Sequence, residues 1–190
     1  MPKTVKMFWF DTETTGINPL LHSLTEVAVI YENPATHETA ELYIKFQPRP
    51  GCQITQEALD VQGITMEELM SRIPYTQGYA HIVDFMNRCV DKYDKFDKMY
   101  PCGYNVKFDL DFLQQCFIDN GNKHGIGSYI NWRRLDVLDQ IYLMDYHGKI
   151  SLHNYKLATV ANYFGIPLIP HNANNDIIAT RAIANKIGMV

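Results

Sequence analysis

The chain has 190 residues, a hydrophobic fraction of 46% and a net charge of −4 at pH 7. This length fits one domain with a sizeable core and leaves little room for a second. The acidic balance argues against a protein that holds long nucleic acid duplexes by charge alone, although bound cations can reverse the charge of an acidic site. No apolar run reaches the roughly 18–20 residues of a membrane span, and the start lacks the long apolar stretch of a signal peptide. We therefore expect a cytoplasmic protein that does not enter membranes.

Three β-strands are predicted in the first part of the chain, over residues 5–10, 25–31 and 40–46. The first is nearly all apolar, which is typical of a strand that is covered on both faces. The gaps between the three strands are short, so antiparallel neighbours are expected.

Helices dominate the remainder of the chain. Helical patterns are predicted over residues 56–61, 66–72, 75–92, 106–119, 136–145, 154–164 and 172–187. Two further strands are predicted over residues 99–104 and 129–131, and Asn105 suits the N-cap of the helix that follows it. Strands early and helices late predict an α/β domain with a mixed sheet and helices on both faces.

Two carboxylates, Asp11 and Glu13, follow the first predicted strand directly. Side chains two apart on a strand point the same way, so both acids project from one face. Neighbouring anions repel unless a cation sits between them, and Mg²⁺ or Mn²⁺ suits carboxylate oxygens. A pair of acids at this spacing also arises by chance where a strand runs into a polar loop.

Asp109 lies in the first turn of the helix predicted over 106–119. An acid is favourable there because of the helix dipole, which is the purely structural interpretation. Asp109 also aligns with Phe112, Leu113 and Cys116 on the apolar face, so its carboxylate is expected to point towards the sheet. Asp111, near the opposite face, is assigned to solvent.

Asp176 repeats this pattern in the last helix, where it aligns with Ala179 and Ile183. His171 precedes it by five residues and is placed in the loop before the helix, where it can reach the same site. A lone histidine in such a loop is more often a surface residue, so its significance depends on the acids around it.

Three motifs combine these residues. Residues 10–16 read FDTETTG, residues 105–109 read NVKFD, and residues 171–176 read HNANND. Together they resemble the DEDD superfamily of 3′→5′ exonucleases, in the DEDDh branch that includes RNase T and oligoribonuclease. The segments QGIT at 62–65, RLD at 134–136 and FGI at 164–166 support the resemblance, which extends over about residues 5–186.

The resemblance implies an RNase H-like fold with a central mixed five-stranded sheet, and a single exonuclease domain over residues 1–190. It also implies a site for two Mg²⁺ or Mn²⁺ ions held by Asp11, Glu13, Asp109 and Asp176. In that scheme Asp11 bridges both ions, Glu13 and Asp176 complete one, and Asp109 supports the other. His171 would be the general base, since histidine exchanges protons near neutral pH.

Substrate contacts implied by the resemblance involve Thr14, Phe108, Ile54 and Gln62, with Phe108 stacking on a base or sugar. Phe108 is equally compatible with a core position. Single-stranded DNA is the expected substrate, with RNA or short oligoribonucleotides as the alternative, because no residue identifies a contact to the 2′-hydroxyl. An inactive nucleic-acid-binding module is a further alternative, and a homodimer or a polymerase partner remains open.

Overall fold

One five-stranded sheet forms the centre of the computed structural model, which describes residues 5–189. Its strands are β1 Lys6–Thr14, β2 Leu24–Asn33, β3 Glu38–Lys45, β4 Met99–Gly103 and β5 Leu135–Asp136. The spatial order is β3-β2-β1-β4-β5. β1 pairs antiparallel with β2 and parallel with β4, so the predicted mixed five-stranded sheet is confirmed.

Seven helices and one short 3-10 helix surround this sheet in the described part of the chain. The helices are α1 Gln56–Gln62, α2 Met66–Ser71, α3 Tyr75–Cys89, α4 Val106–Asp119, α5 Val137–Tyr146, α6 Leu157–Tyr163 and α7 Ala173–Lys186, and the 3-10 helix is Gly125–Ser128. All seven correspond to predicted helices, with ends shifted by up to three residues. No helix within residues 5–189 combines the length and apolar character needed to cross a membrane.

Helices cover both faces of the sheet because β1 alternates its side chains between two cores. Phe8 and Phe10 face a core shared with α3 and α4. Met7 and Trp9 face a second core shared with α5, α6 and α7. Four consecutive buried side chains thus place β1 at the centre of the protein, as its apolar sequence predicted.

The fifth strand is not where the sequence placed it. The prediction over residues 129–131 is wrong, because Ile130 forms only a single bridge to Met99. The chain then exposes residues 132–134 and pairs with β4 at Leu135 and Asp136. A two-residue strand is too short to produce the alternating pattern that identifies strands in a sequence.

The start of α4 also differs from expectation. Asn105 occupies the N-cap position in a left-handed conformation (φ 59°), and its side chain makes no capping hydrogen bond. The carboxylate of Asp136 caps the helix instead, accepting hydrogen bonds from the backbone N–H groups of Asn105 (2.8 Å) and Val106 (3.0 Å). β5 therefore fixes the start of α4.

Candidate active site

Three carboxylates meet beside the C-terminal half of β1. Asp11 and Glu13 share the face of β1 that carries Trp9, which is the face covered by α7. Asp176 reaches them from the first turn of α7. Oxygen atoms from the three side chains lie within 4.8 Å of one another, a separation that one cation can bridge.

A second network of hydrogen bonds fixes the start of α7. His171 adopts a left-handed conformation (φ 66°), and its backbone N–H donates to Oδ2 of Asp176 (3.1 Å). Buried Glu26 on β2 accepts from the backbone N–H of Ala173 (3.2 Å) and the hydroxyl of Tyr43 (2.8 Å). The bond from His171 holds the carboxylate of Asp176 in place, and the bonds to Glu26 give that residue a structural role at the start of α7.

The fourth predicted acid, Asp109, approaches from the opposite face of the sheet. It lies on α4 and is almost fully buried, so the expectation that it points towards the sheet is correct. The hydroxyl of Thr12 donates to its Oδ1 (2.7 Å), and Thr12 points to the other side of β1 from Asp11 and Glu13. The side chain of Asp111 is 46% exposed and pairs with Lys107, which agrees with its assignment to solvent.

Burial raises the pKa of every carboxyl in this group. The pKa of Glu13 rises to about 8 through burial and then through the charge of Glu26. That of Asp109 rises to about 7 through burial, and the hydrogen bond from Thr12 opposes the rise. Burial, followed by the charges of Asp109 and Asp176, raises the pKa of Asp11 well above its ordinary value. The site therefore carries more negative charge than it can stabilise alone.

A divalent cation fits this arrangement. Oδ1 of Asp176 is buried and has no hydrogen-bond partner among the described residues, although its Oδ2 is bound. An unpartnered carboxylate oxygen costs free energy that a cation would offset. All the donors are carboxylate oxygens, which suit Mg²⁺ or Mn²⁺ better than a thiolate-preferring metal.

Two adjoining cavities open around the acids. We call the first the acidic cavity; it measures about 580 Å³, and Asp11, Glu13, Asp109, His171 and Asp176 all line it. The structure thus brings the five predicted catalytic residues to one cavity. Sequence reasoning missed Lys156, which lines the same cavity just before α6, since a lone exposed lysine carries no signal in a sequence.

The second cavity, which we call the side pocket, measures about 350 Å³. Thr14, Gln62 and Phe108 line it, and Glu13 and Phe108 line both cavities. The ring of Phe108 also packs against Phe112, with centroids 5.0 Å apart, so both interpretations of Phe108 hold at once. Ile54 is half-buried and is not among the lining residues.

The fold and the acidic site define a nuclease-like α/β protein, and comparison with known families is specific. The chain belongs to the exonuclease family, whose RNase_T model matches residues 8–184, and thus to the DEDD superfamily of 3′–5′ exonucleases. Enzymes of this superfamily depend on divalent metal ions. The five-stranded sheet of this chain is RNase H-like, as the resemblance in sequence predicted.

Two curated proteins are similar in sequence to this chain over most of its length. The chain is 27% identical over 172 residues to the PolC-type DNA polymerase III of Mycoplasmopsis pulmonis. The matched region covers 88% of this chain and 10% of the polymerase. It is 24% identical over 145 residues to the oligoribonuclease of Legionella pneumophila, covering 72% of this chain and 71% of that enzyme.

A solved structure confirms the fold. Exonuclease I of E. coli in complex with a dT13 oligonucleotide superposes with a TM-score of 0.78 at 21% identity, over 96% of this chain and 41% of that one. The chain therefore spans about a tenth of the polymerase and about two fifths of Exonuclease I.

Proposed function

We propose that this protein is a metal-dependent 3′→5′ exonuclease that releases nucleoside 5′-monophosphates from single-stranded nucleic acid. The observation that carries the proposal is the meeting of Asp11, Glu13 and Asp176 within 4.8 Å in a cavity that adjoins a second, nucleotide-sized pocket. Family membership over residues 8–184 supports the activity and a single exonuclease domain.

The four carboxylates would hold the metal, and we propose two Mg²⁺ or Mn²⁺ ions. Such ions stabilise the attacking and leaving oxygens of a phosphoryl transfer. Asp11, Glu13 and Asp176 form the closer set, and Asp109 stands on the other side of β1. The unpartnered Oδ1 of Asp176 supports its role as a ligand.

His171 is the proposed general base. Its side chain is exposed at the mouth of the acidic cavity, where it can take a proton from an attacking water and pass it to solvent. Its backbone N–H holds Asp176, so the histidine also positions one of the proposed ligands. The left-handed conformation of His171 fits a residue that is held for function, because such conformations cost free energy.

The side pocket is the proposed site of the terminal 3′ nucleotide. Gln62 closes one wall by donating from Nε2 to the backbone oxygen of Thr14 (2.8 Å), and the ring of Phe108 separates the pocket from the acidic cavity. A pocket of about 350 Å³ is close to the size of one nucleotide, which supports the binding of a single terminal nucleotide there. We propose that Thr14, Gln62 and Phe108 contact this nucleotide and that Ile54 supports the wall behind Thr55.

RNA is the second candidate substrate. Similarity to an oligoribonuclease, which extends over 71% of that enzyme, supports short oligoribonucleotides as the RNA substrate. Complex formation between Exonuclease I and dT13 favours DNA. An inactive binding module is disfavoured because all five predicted catalytic residues line one cavity.

The test uses single-stranded DNA and RNA oligomers that carry a label at either the 3′ or the 5′ end. Incubation with Mg²⁺ or Mn²⁺ should give ladders that shorten from the 3′ end, and EDTA should abolish them. Asp11→Ala and His171→Ala serve as inactive controls. The polymer that is degraded faster identifies the substrate class.

No degradation of any oligomer by a folded protein that binds metal would overturn the exonuclease proposal. Shortening from the 5′ end would overturn both the assignment of the side pocket and the proposed 3′→5′ direction, and would leave only a metal-dependent nuclease.

A further inference from the structure

Helix α5 leads away from the acidic cavity with a line of large side chains. Leu138, in its first turn, lines the cavity. Tyr142 and Tyr146 follow at intervals of four residues, so all three share one face of the helix. The exposed fractions of the two tyrosines are 49% and 83%. We call Leu138, Tyr142 and Tyr146 the α5 stripe.

The spacing of the α5 stripe suits an extended nucleic acid strand. Each step of four residues advances about 6 Å along a helix. An extended sugar-phosphate backbone covers a similar distance with each nucleotide. Successive bases could therefore meet Tyr142 and then Tyr146, and stacking on aromatic rings accepts any base.

Neighbouring residues anchor the stripe to the cavity. The ring of Tyr142 packs edge-on against that of Tyr155, with centroids 5.1 Å apart. The backbone oxygen of Tyr155 accepts a hydrogen bond from the hydroxyl of Tyr104, which lines the acidic cavity. Lys156 comes next in the chain and places a positive charge at the same mouth. The platform is thus preorganised and continuous with the site.

The charges around α5 distinguish bases from phosphates. Asp139 and Asp145 lie on the helix itself, and carboxylates disfavour phosphate groups beside them. Lys156 lines the acidic cavity together with Leu138, and its positive charge attracts phosphate. The arrangement therefore favours bases on the α5 stripe and the sugar-phosphate backbone along Lys156. Only an unpaired strand has bases that are free to stack in this way.

We propose that the single-stranded segment on the 5′ side of the scissile bond leaves the acidic cavity along the α5 stripe, with bases on Tyr142 and Tyr146 and a phosphate at Lys156. This inference rests on the proposed function, because the direction follows from placing the 3′ nucleotide in the side pocket. Leu138 and Lys156 both line the acidic cavity, so a strand that passes over them moves directly from the cavity onto α5.

The experiment compares oligodeoxythymidylates from dinucleotide to octanucleotide as substrates for Tyr142→Ala and Tyr146→Ala. We expect each change to raise KM for the octanucleotide by about 5- to 150-fold, since this is the range of one lost stacking contact. The dinucleotide should retain its KM, because it ends before the stripe, and kcat should stay within about twofold. Tyr146→Trp should restore the octanucleotide KM.

Tyr93→Ala is the matched control, since Tyr93 is 87% exposed and lies before β4, at the end of the sheet where β1 and β4 begin, among residues that do not line the acidic cavity. The inference would be overturned if the α5 variants had wild-type KM values at every oligomer length. It would also be overturned if KM rose as much for the dinucleotide as for the octanucleotide. Light scattering that shows a wild-type dimer and a Tyr146→Ala monomer would also overturn it, because a second copy would then cover the stripe.

Fluorescence anisotropy with the same oligomers separates this inference from the proposed function. If the wild-type protein binds the octanucleotide through the tyrosines but cleaves nothing, the exonuclease proposal fails and the stripe stands. If it cleaves oligomers of every length without regard to the tyrosines, the stripe fails and the exonuclease stands.

Discussion

Helices α4 and α7 each bring an aspartate to β1, but from opposite faces of the sheet. Both start after a residue with positive φ other than glycine, Asn105 (φ 59°) and His171 (φ 66°). Both also have N-terminal backbone N–H groups bound by a carboxylate from another element, Asp136 for α4 and Glu26 for α7. The same device thus builds the two sides of the site.

The two aspartates differ in what they bind. Asp109 receives a hydrogen bond from Thr12 within the protein, whereas Oδ1 of Asp176 is buried without a partner among the described residues. The carboxylate on α4 is therefore partly satisfied by the chain itself, whereas the carboxylate on α7 has an oxygen left over for the proposed metal. The following predictions concern the two aspartates and the residues that hold them.

The largest effect should come from Asp176→Asn and Asp109→Asn. We expect each to lower kcat/KM at least about 100-fold, as loss of a positioned catalytic group does. Mg²⁺ at 100 times its Kd should stabilise the wild type by about 2.7 kcal/mol, or roughly 5–10 °C in Tm. Asp176→Asn should abolish this Tm shift, whereas Asp109→Asn should retain part of it.

Thermal melts with and without Mg²⁺ measure the difference between the two variants. Equal loss of the Mg²⁺-induced shift would show that the two sides contribute alike, and the comparison between α4 and α7 would fail.

The second effect concerns the pH dependence of stability without metal. The pKa of Glu13 is raised from 4.5 to about 8 and that of Asp109 from 3.8 to about 7, so the folded chain binds more protons than the unfolded one. The free energy of unfolding should therefore fall as pH rises from about 5 to about 9. Urea titrations in EDTA at pH 5, 7 and 9 measure this fall.

Saturating Mg²⁺ should flatten that pH dependence, because the cation stabilises the ionised carboxylates. A metal-free protein that becomes more stable between pH 5 and 9 would contradict the raised pKa values.

The third effect compares the two capping carboxylates. Glu26→Gln should lower the free energy of unfolding by about 3 kcal/mol, since Glu26 is buried beside Arg72 (4.0 Å) and Lys45 (3.2 Å) and its loss leaves buried charge unpaired. Asp136→Ala should cost about 0.5–2 kcal/mol, the range for the loss of a helix cap. Chemical denaturation ranks the two, and the reverse order would contradict the proposed roles.

The smallest effect should follow Thr12→Val. Removing one buried hydrogen bond should cost about 1 kcal/mol, and the pKa of Asp109 should rise further because the bond from Thr12 opposes the effect of burial. The fall in the free energy of unfolding with pH should therefore extend to higher pH in Thr12→Val. Thr12→Ser should restore the wild-type pH dependence. An unchanged profile in Thr12→Val would mean that the hydroxyl does not control Asp109.

Much of this architecture is readable from the sequence because its signals are long. The apolar run of β1 and the amphipathic patterns of α3, α4 and α7 each extend over several residues and predict their own location. The acids of the site stand out because they occur at the ends of these elements, where strand alternation and helical spacing fix their direction.

The features that sequence reasoning missed depend on contacts between distant residues. β5 has two residues, and its identity depends on pairing with β4. The role of Asp136 arises only when Asn105, 31 positions earlier in the chain, meets it. Thr12 contacts Asp109 across 97 positions. No local pattern records such contacts, whereas hydrophobic periodicity is local by nature.

The packing of α7 against β1 has a consequence for biosynthesis. The strand with Asp11 and Glu13 is complete at Thr14, but the helix with Asp176 extends to Lys186. At about 5–20 residues per second, a ribosome needs roughly 10 to 30 s to add the intervening chain. A nascent chain therefore cannot assemble the metal site while it is still being translated through this stretch. Under the proposed function, the chain can act on nucleic acid only after its own synthesis has passed α7.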